Sequence, residues 1–245
     1  MIRRIKACLN GGRARGEHPA VPVTPAELAV AAAQAVAAGA EAVHVHPRGA
    51  DGAESLDPAD IGAAVAAVRA SCPGTPVGVS TGLWITGGDV ARRHATVARW
   101  ADLGADQRPS FASVNVGEDG FAELAALLRA AGVGVEAGVW SPRDAERLDG
   151  VPVDRILIEI LDTPAADAVA AADAILDRLA VTGPRLLHGE QDACWPLIAH
   201  AGRLGLPTRI GLEDTLVTDD GRPATGNADL VRRALRIWTA QRERR

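Results

Sequence analysis

Residues 41–48 read Glu41-Ala42-Val43-His44-Val45-His46-Pro47-Arg48, which predicts a short β-strand with a histidine at every second position. Side chains along a strand alternate between its two faces, so His44 and His46 point the same way, roughly 6–7 Å apart. Two imidazoles on one face at the end of a buried strand provide half of a metal site. The alternatives are a solvated strand end or a pair of hydrogen-bonded core histidines, each of which needs its own polar partner.

A helix signal precedes this strand. Thr24-Pro25-Ala26-Glu27 combines an N-cap, a proline at the first helical position and a glutamate three residues after the cap. The predicted helix continues to about Ala38 and stops at Gly39. Strands and helices alternate along the rest of the chain, which ends in a predicted helix over 227–242 with Asn227 as its N-cap. The predicted strands are Arg3–Leu9, Ala42–His46, Val77–Ser80, Ala112–Val116, Val133–Trp140, Arg155–Leu161, Arg185–His188 and Thr208–Leu212.

This alternation predicts the fold class. Short apolar strands that alternate with helices indicate a parallel sheet, and eight such repeats in 245 residues match a (β/α)8 TIM barrel. We therefore expect residues 1–245 to form one domain. An open, doubly wound sheet is the alternative, but Asn10-Gly11-Gly12 after the first strand lacks the glycine spacing of dinucleotide-binding folds.

Composition narrows the class of protein. Hydrophobic residues make up 47% of the chain and the net charge is −5, which indicates a buried core and argues against nucleic-acid binding. The three cysteines form neither a CxxC pair nor a disulfide framework, which favours a reducing cytoplasm. We expect no signal peptide and no membrane span, because the most apolar stretch, residues 28–38, is short and contains Gln34. Lys6, the only lysine, lies early in the first strand, which disfavours Schiff-base chemistry.

Polar residues at strand ends are the candidates for chemistry, because barrel active sites lie where strands end and βα loops begin. Glu213 follows the eighth strand, and strands two and eight both neighbour strand one in a closed barrel, so Glu213 can reach His44 and His46. Two histidines and one carboxylate form a catalytic zinc set with an open fourth position. The same ligands also accept Fe, Co, Ni or Mn. Arg209 and Asp214 form either an ordinary ion pair or a charged dyad beside the metal, with the aspartate as base.

Six motifs follow one another over nearly the whole chain: His18-Pro19-Ala20-Val21-Pro22-Val23-Thr24-Pro25; Ala38-Gly39-Ala40 before His44-Val45-His46-Pro47-Arg48; Ser80-Thr81-Gly82; Ser113-Val114-Asn115; Arg209-Ile210-Gly211-Leu212-Glu213-Asp214; and Ala224-Thr225-Gly226-Asn227-Ala228-Asp229-Leu230-Val231. Together they resemble the beta-keto acid cleavage enzymes, whose founding activity is the cleavage of 3-keto-5-aminohexanoate. The resemblance implies a zinc-bearing (β/α)8 barrel with His44, His46 and Glu213 as metal ligands. It also implies that Arg209 and Asp214 lie beside the substrate, with Asp214 as the general base.

The resemblance implies a reaction as well. A small-molecule beta-keto acid and acetyl-CoA would give acetoacetate and a new acyl-CoA by Claisen and retro-Claisen steps. Members of the family form homo-oligomers, and the same is expected here. The residues to which the resemblance assigns substrate contact are Ser80, Ser113, Asn115 and Glu136.

Two positions depart from the family pattern. Arg13 stands where characterised members have an acidic residue that recognises an amino group, so we expect a substrate with a neutral or anionic side chain. Trp84 follows Gly82-Leu83, where the family has a double glycine, and would add an apolar wall if it faces the pocket.

The residues alone are also compatible with two other functions. A histidine-any-histidine strand also occurs in barrels of amidohydrolase-type metal-dependent hydrolases, which carry the pair on the first strand and recruit further histidines from later strands. Of the two late histidines, only His188 lies at a strand end, since His200 falls in the helix predicted after it. The other alternative is a barrel without catalysis that acts as a binding protein. The sequence does not assign roles to His188, Glu190, Glu159 and Arg13.

Overall fold

The computed structural model describes residues 2–244, and these form one eight-stranded parallel sheet. Neighbouring strands are consecutive in the chain, and β1 pairs with both β2 and β8. The sheet closes where the backbone N–H of Leu187 donates to the carbonyl of Pro207, 3.0 Å away. The strands are Ile5–Cys8 (β1), Ala42–Val45 (β2), Val77–Ser80 (β3), Phe111–Asn115 (β4), Gly134–Val139 (β5), Arg155–Ile160 (β6), Arg185–Gly189 (β7) and Thr208–Ile210 (β8).

A helix follows each strand, which confirms the predicted (β/α)8 TIM barrel. The predicted capping box at the first helix is present: Thr24 accepts from the backbone N–H of Glu27, and the Glu27 carboxylate accepts from the backbone N–H of Thr24. None of the helices within residues 2–244 combines the length and apolar character needed to cross a membrane. The helices are Pro25–Ala37 (α1), Pro58–Ser71 (α2), Val90–Ala98 (α3), Phe121–Ala130 (α4), Pro142–Arg147 (α5), Ala168–Leu176 (α6), Cys194–Leu204 (α7) and Asn227–Arg242 (α8).

The start of α8 differs from the prediction. Gly226 occupies the N-cap position, and no side chain caps the helix. Asn227 is instead buried, where its amide accepts from the backbone N–H of Leu212 and donates to the carbonyl of Leu9. These two bonds tie the last helix to the ends of β8 and β1, so the asparagine stabilises barrel closure. Its prediction as an N-cap is wrong, because this tertiary role takes its side chain away from the helix.

The strands are buried on both faces, as in other parallel barrels. Along β2, Val43 and Val45 join the large core beneath the helices, while Ala42 and His44 face the barrel interior. A second apolar cluster inside the barrel combines Ala42 with Phe111, Leu157 and Leu186. Because side chains alternate along this strand, the valines pack under the helices and the histidines point toward the barrel axis.

Candidate metal centre and active site

A cavity of about 400 Å³ lies at the carboxyl ends of the strands. This volume is at the lower end of the usual range for small-molecule sites, and its position is where barrel enzymes carry their chemistry. Charged, polar and aromatic side chains from nearly all the βα loops line it. They include His44, His46, Ser80, Trp84, Ser113, Asn115, Trp140, Glu159, Glu190, Arg209 and Glu213.

The three predicted metal ligands converge at one wall of this cavity. His44, His46 and Glu213 each offer a ligand atom, and these atoms all lie within 4.8 Å of one another. The two imidazole rings meet edge to face with centroids 5.1 Å apart, and His46 Nε2 lies 3.6 Å from Glu213 Oε1. His188, the late histidine, does not belong to this group, because its Nε2 is bonded to Glu159 Oε2 at 2.9 Å.

The donor atoms fit a divalent cation. Nδ1 of His44 and Oε2 of Glu213 are buried and have no hydrogen-bond partner among the described residues, although unpaired buried polar atoms are costly. Burial lowers the pKa of His44 to about 3, so its imidazole is neutral and able to coordinate. Burial also disfavours the charged form of His46, but the carboxylates of Glu213 and Glu54 raise its pKa to about 9. A cation bound at this imidazole would therefore displace a proton.

Two neighbours fix the orientation of His46. The amide of Asn10 donates to the His46 carbonyl at 2.8 Å and accepts from its backbone N–H at 2.9 Å, which continues the ladder between the first two strands. On the ring, Nδ1 donates to the carboxylate of Glu54. Because Nδ1 is occupied, Nε2 is the nitrogen that faces Glu213. A carboxylate behind a ligating histidine fixes its tautomer and raises its basicity.

Glycine is required where Glu213 enters the site. Gly11 has a φ of +52°, and a Cβ at this position would lie 2.4 Å from Cγ of Glu213. The glycine therefore both allows the left-handed turn after β1 and leaves room for the carboxylate arm.

Glu54→Gln is expected to weaken metal binding about 10–100-fold, because glutamine removes the negative charge behind His46. Competition with a chelating dye measures the change in dissociation constant. Glu17→Gln is the matched control, since Glu17 also lines the cavity but contacts neither histidine. Equal affinity in Glu54→Gln and the unmodified protein would contradict the assigned role of Glu54.

Arg209 lies at the centre of four carboxylates. Its Nη2 donates to Glu213 Oε1 at 2.8 Å and to Asp214 Oδ1 at 2.7 Å, and its Nε donates to the same Asp214 oxygen at 3.0 Å. Glu159 and Glu190 lie farther from the guanidinium, at 3.6 and 3.9 Å. One arginine thus connects Glu213, a predicted metal ligand, to the predicted base.

Asp214 is fully buried behind Arg209 and is not part of the cavity wall. Burial raises the pKa of Asp214 above that of an ordinary aspartate, although Arg209 opposes this effect. Its Oδ2 has no hydrogen-bond partner among the described residues. His188 Nδ1 lies 3.7 Å from Oδ1 of Asp214. The geometry thus supplies a carboxylate with one free oxygen and an elevated proton affinity.

Three of the four residues predicted to contact substrate line the cavity. Ser80 ends β3, while Ser113 and Asn115 lie on the neighbouring strand β4. The Asn115 amide donates to Glu118 at 2.8 Å, and Ser80 Oγ accepts from the backbone N–H of Gly82 at 3.3 Å. Hydroxyl and amide groups at this edge can therefore donate to oxygen atoms of a bound molecule.

The structure places Glu136, the fourth, away from the cavity. It is completely buried inside the barrel, where Lys6 Nζ and Arg155 Nε each lie 2.5 Å from one of its carboxylate oxygens. The ring of Phe111 lies beneath both cations. Although burial opposes it, these two positive charges hold the pKa of Glu136 well below its usual range. Glu136 thus neutralises two cations inside the barrel and does not reach the cavity wall.

Glu136→Gln is expected to lower the free energy of unfolding by about 3–5 kcal/mol, because it leaves buried cations without a counter-charge. Chemical denaturation measures this loss, with Glu123→Gln on the exposed face of α4 as control. A variant of unchanged stability with weaker binding of a keto acid would restore Glu136 as a substrate contact.

Sequence reasoning did not assign three side chains that the structure brings into the site. Glu54 holds His46, Glu159 joins His188 to the Trp140 indole, and Glu190 is a cavity carboxyl whose pKa burial raises to about 7. Glu190 directly follows β7, so its place after a strand was a usable signal, whereas Glu159 lies within β6. Glu54 lies in a loop that gives no such indication.

The chain resembles known proteins over nearly its whole length. A profile of the beta-keto acid cleavage enzyme family matches residues 4–244. The 3-keto-5-aminohexanoate cleavage enzyme of Fusobacterium nucleatum subsp. nucleatum is 26% identical over 260 residues, which cover 95% of this chain and 90% of that enzyme.

Solved structures share the fold at lower identity. The ternary complex of ObcA with a C4-CoA adduct and oxalate superposes with a TM-score of 0.68 at 18% identity, over 87% of this chain, and the chain spans only 62% of the ObcA length. The type I 3-dehydroquinate dehydratase of Clostridium difficile gives a TM-score of 0.68 at 9% identity, over 100% of this chain and 94% of that one. These two likenesses concern the fold alone. The family profile spans nearly the whole sequence, and the chain belongs to the beta-keto acid cleavage enzyme family.

Proposed function

We propose that this protein is a zinc-dependent acyltransferase that converts a beta-keto acid and acetyl-CoA into acetoacetate and a new acyl-CoA. One observation carries the proposal. In a chain of this family, the ligand atoms of His44, His46 and Glu213 lie within 4.8 Å of one another, and two of the buried atoms of this group have no hydrogen-bond partner among residues 2–244. Two imidazoles and one carboxylate suit zinc, although other divalent transition metals accept the same set. When bound there, the cation supplies Lewis-acid stabilisation of negative charge that develops on substrate oxygens.

The proton chemistry falls to Asp214 and Arg209. In this proposal, Asp214 accepts the proton from the carbon between the two carbonyl groups of the keto acid, which its raised pKa and free Oδ2 favour. Because Asp214 lies behind Arg209, the guanidinium must turn toward the substrate to expose it. A planar guanidinium pairs well with a carboxylate, so the substrate's own carboxylate is a suitable partner for Arg209. Ser80, Ser113 and Asn115 would orient the remaining substrate oxygens.

The exchange balances without a further reagent. The deprotonated carbon attacks the acetyl carbonyl of acetyl-CoA, and CoA thiolate leaves. The thiolate then attacks the original keto carbon, the adjacent carbon–carbon bond breaks, and acetoacetate departs with the returned proton. ObcA, which shares the fold, was solved with a C4-CoA adduct, and by this analogy alone we take a CoA derivative as the second reactant. A cavity of about 400 Å³ has room for a small keto acid and the acyl end of a thioester, while the nucleotide part would stay outside.

The test is a panel of beta-keto acids incubated with the zinc-loaded protein and acetyl-CoA that carries an isotopic label in its acetyl group. We expect the label in acetoacetate and a new unlabelled acyl-CoA, and we expect no cleavage when acetyl-CoA is omitted. Cleavage in water alone would favour a hydrolase, and the absence of any turnover across the panel would favour a binding protein. Removal of the metal with a chelator should abolish the reaction, and zinc should restore it.

A further inference from the structure

Two tryptophans at the cavity are unusually exposed. Trp84 and Trp140 retain 50% and 41% of their accessible surface, whereas folding usually covers most of an indole. Both line the cavity that contains the metal ligands. The other large hydrophobic side chains that are exposed within residues 2–244, Val30 and Val217, lie outside this cavity. Exposed apolar surface that lines a ligand cavity marks a binding surface.

Each indole is held in place by its polar end. Trp84 Nε1 donates to Glu54 at 2.9 Å, and Trp140 Nε1 donates to Glu159 at 3.2 Å. The six-membered ring of Trp84 also lies against the backbone of Gly82, where a Cβ would come within 2.1 Å of it. Because both N–H groups are already bonded, the surface left for a ligand is the apolar part of each ring.

The sheet order places these rings around one sector of the barrel mouth. Trp84 follows β3 and Trp140 follows β5, so they flank β4, which carries Ser113 and Asn115. The predicted metal ligands and Arg209 lie on or just after β2 and β8, on either side of β1. Glu54 contacts both His46 and Trp84, so the indole wall begins beside the metal centre. A keto acid whose carboxylate pairs with Arg209 beside these residues would therefore direct its side chain toward the two indoles.

The charges near this sector already have partners. Glu54 and Glu159 accept from the indoles and from two histidines. Arg13 donates to Glu17 at 2.9 Å and to the carbonyl of Leu212 at 2.6 Å. Glu190 follows β7, on the far side of the mouth, 3.9 Å from Arg209. A charged side chain over β4 would lose water without gaining a free counter-ion, which is unfavourable.

From these contacts, we propose that Trp84 and Trp140 form the subsite for the side chain of the substrate, and that this subsite selects uncharged, apolar side chains. The inference rests on the proposed function, and it narrows the substrate class to beta-keto acids with an aliphatic chain. The sequence leads us to expect a neutral or an anionic substrate side chain opposite Arg13. The proposed subsite favours the neutral one, because the Arg13 guanidinium is already paired with Glu17.

The test compares straight-chain 3-oxo acids of increasing length with ω-amino and ω-carboxylate counterparts of equal length. In the zinc-loaded protein, kcat/KM should rise with aliphatic length and be at least about tenfold lower for the charged counterparts. Relative to the shortest acid, Trp84→Ala and Trp140→Ala should each reduce kcat/KM for the long aliphatic acids about tenfold or more, mainly through KM. Trp84→Phe should restore most of the loss. Trp195→Ala is the control, because this indole bonds Val217 outside the cavity.

Calorimetric binding of the same acids without acetyl-CoA separates the two proposals. Trp84-dependent affinity for aliphatic acids, without turnover of any acid, would overturn the thioester exchange and leave the subsite standing. Preference for the ω-amino or ω-carboxylate acids would overturn the subsite and leave the exchange standing. An equal loss for every acid in the alanine variants, or a change in oligomeric state instead of selectivity, would also overturn the subsite.

Discussion

His46→Ala should release the metal and lower kcat/KM on the order of a thousandfold or more. The variant removes one of the three grouped side chains that could hold the ion, which leaves His44 and Glu213. Loss of Lewis-acid stabilisation costs several kcal/mol in the transition state, and each 1.36 kcal/mol is about a tenfold change in rate. Metal content by elemental analysis and kcat/KM are the two measurements, and circular dichroism checks that the barrel is folded.

His94 provides a matched control for the His46→Ala experiment. His94→Ala changes a histidine that bonds the carbonyl of Gly120 outside the cavity, and it should retain both metal and turnover. A His46→Ala protein that binds metal with normal stoichiometry would contradict the ligand set. Equal losses in His94→Ala would show that the effect comes from folding and not from coordination.

Asp214→Asn should keep the metal and lower kcat about 10²–10⁴-fold, which is the usual contribution of a general base. Asparagine has nearly the same shape and can still accept from Arg209, so the packing around the site should be preserved. The direct measurement is exchange of the substrate's C2 hydrogen with deuterated water, followed by NMR without acetyl-CoA. This exchange should disappear in Asp214→Asn, because the group that removes the proton is gone.

Glu190→Gln provides the comparison for this experiment. Glu190 lines the cavity, and burial raises its pKa to about 7, so its charge changes near neutral pH. We expect Glu190→Gln to alter the pH profile of kcat/KM and to leave C2 exchange within about tenfold of the unmodified enzyme. Exchange that survives in Asp214→Asn but vanishes in Glu190→Gln would assign the base to Glu190.

The fold and the convergence of His44, His46 and Glu213 could be predicted because both depend on local periodicity. The alternation of strands and helices sets the barrel, and the two-residue spacing of His44 and His46 sets their common face. Barrel closure then brings Glu213 of the last repeat beside the second strand. None of these steps requires knowledge of how far each strand is shifted along the barrel axis.

Glu136 and Glu159 show where local pattern is not enough. Each lies inside a buried strand, and the sequence around them gives no sign of their depth in the barrel. Their depth follows from the register of the strands. Glu136 aligns with Arg155 at the beginning of β6, while Glu159 aligns with His188 near the end of β7. The first glutamate is therefore an internal counter-ion and the second lines the cavity. Glu54 was unpredictable for another reason, since its two contacts join distant loops.

The burial of Lys6 has a consequence for how the protein withstands reactive metabolites. Thioesters acylate exposed lysine amines without any enzyme, yet the single lysine of this chain has no exposed surface and donates to Glu136. The folded protein thus offers no lysine nucleophile to electrophiles in solution, whether acyl donors or amine-directed cross-linkers. Chemical acylation at Lys6 would consequently report unfolding of the barrel, and its rate would measure how often the interior opens to solvent.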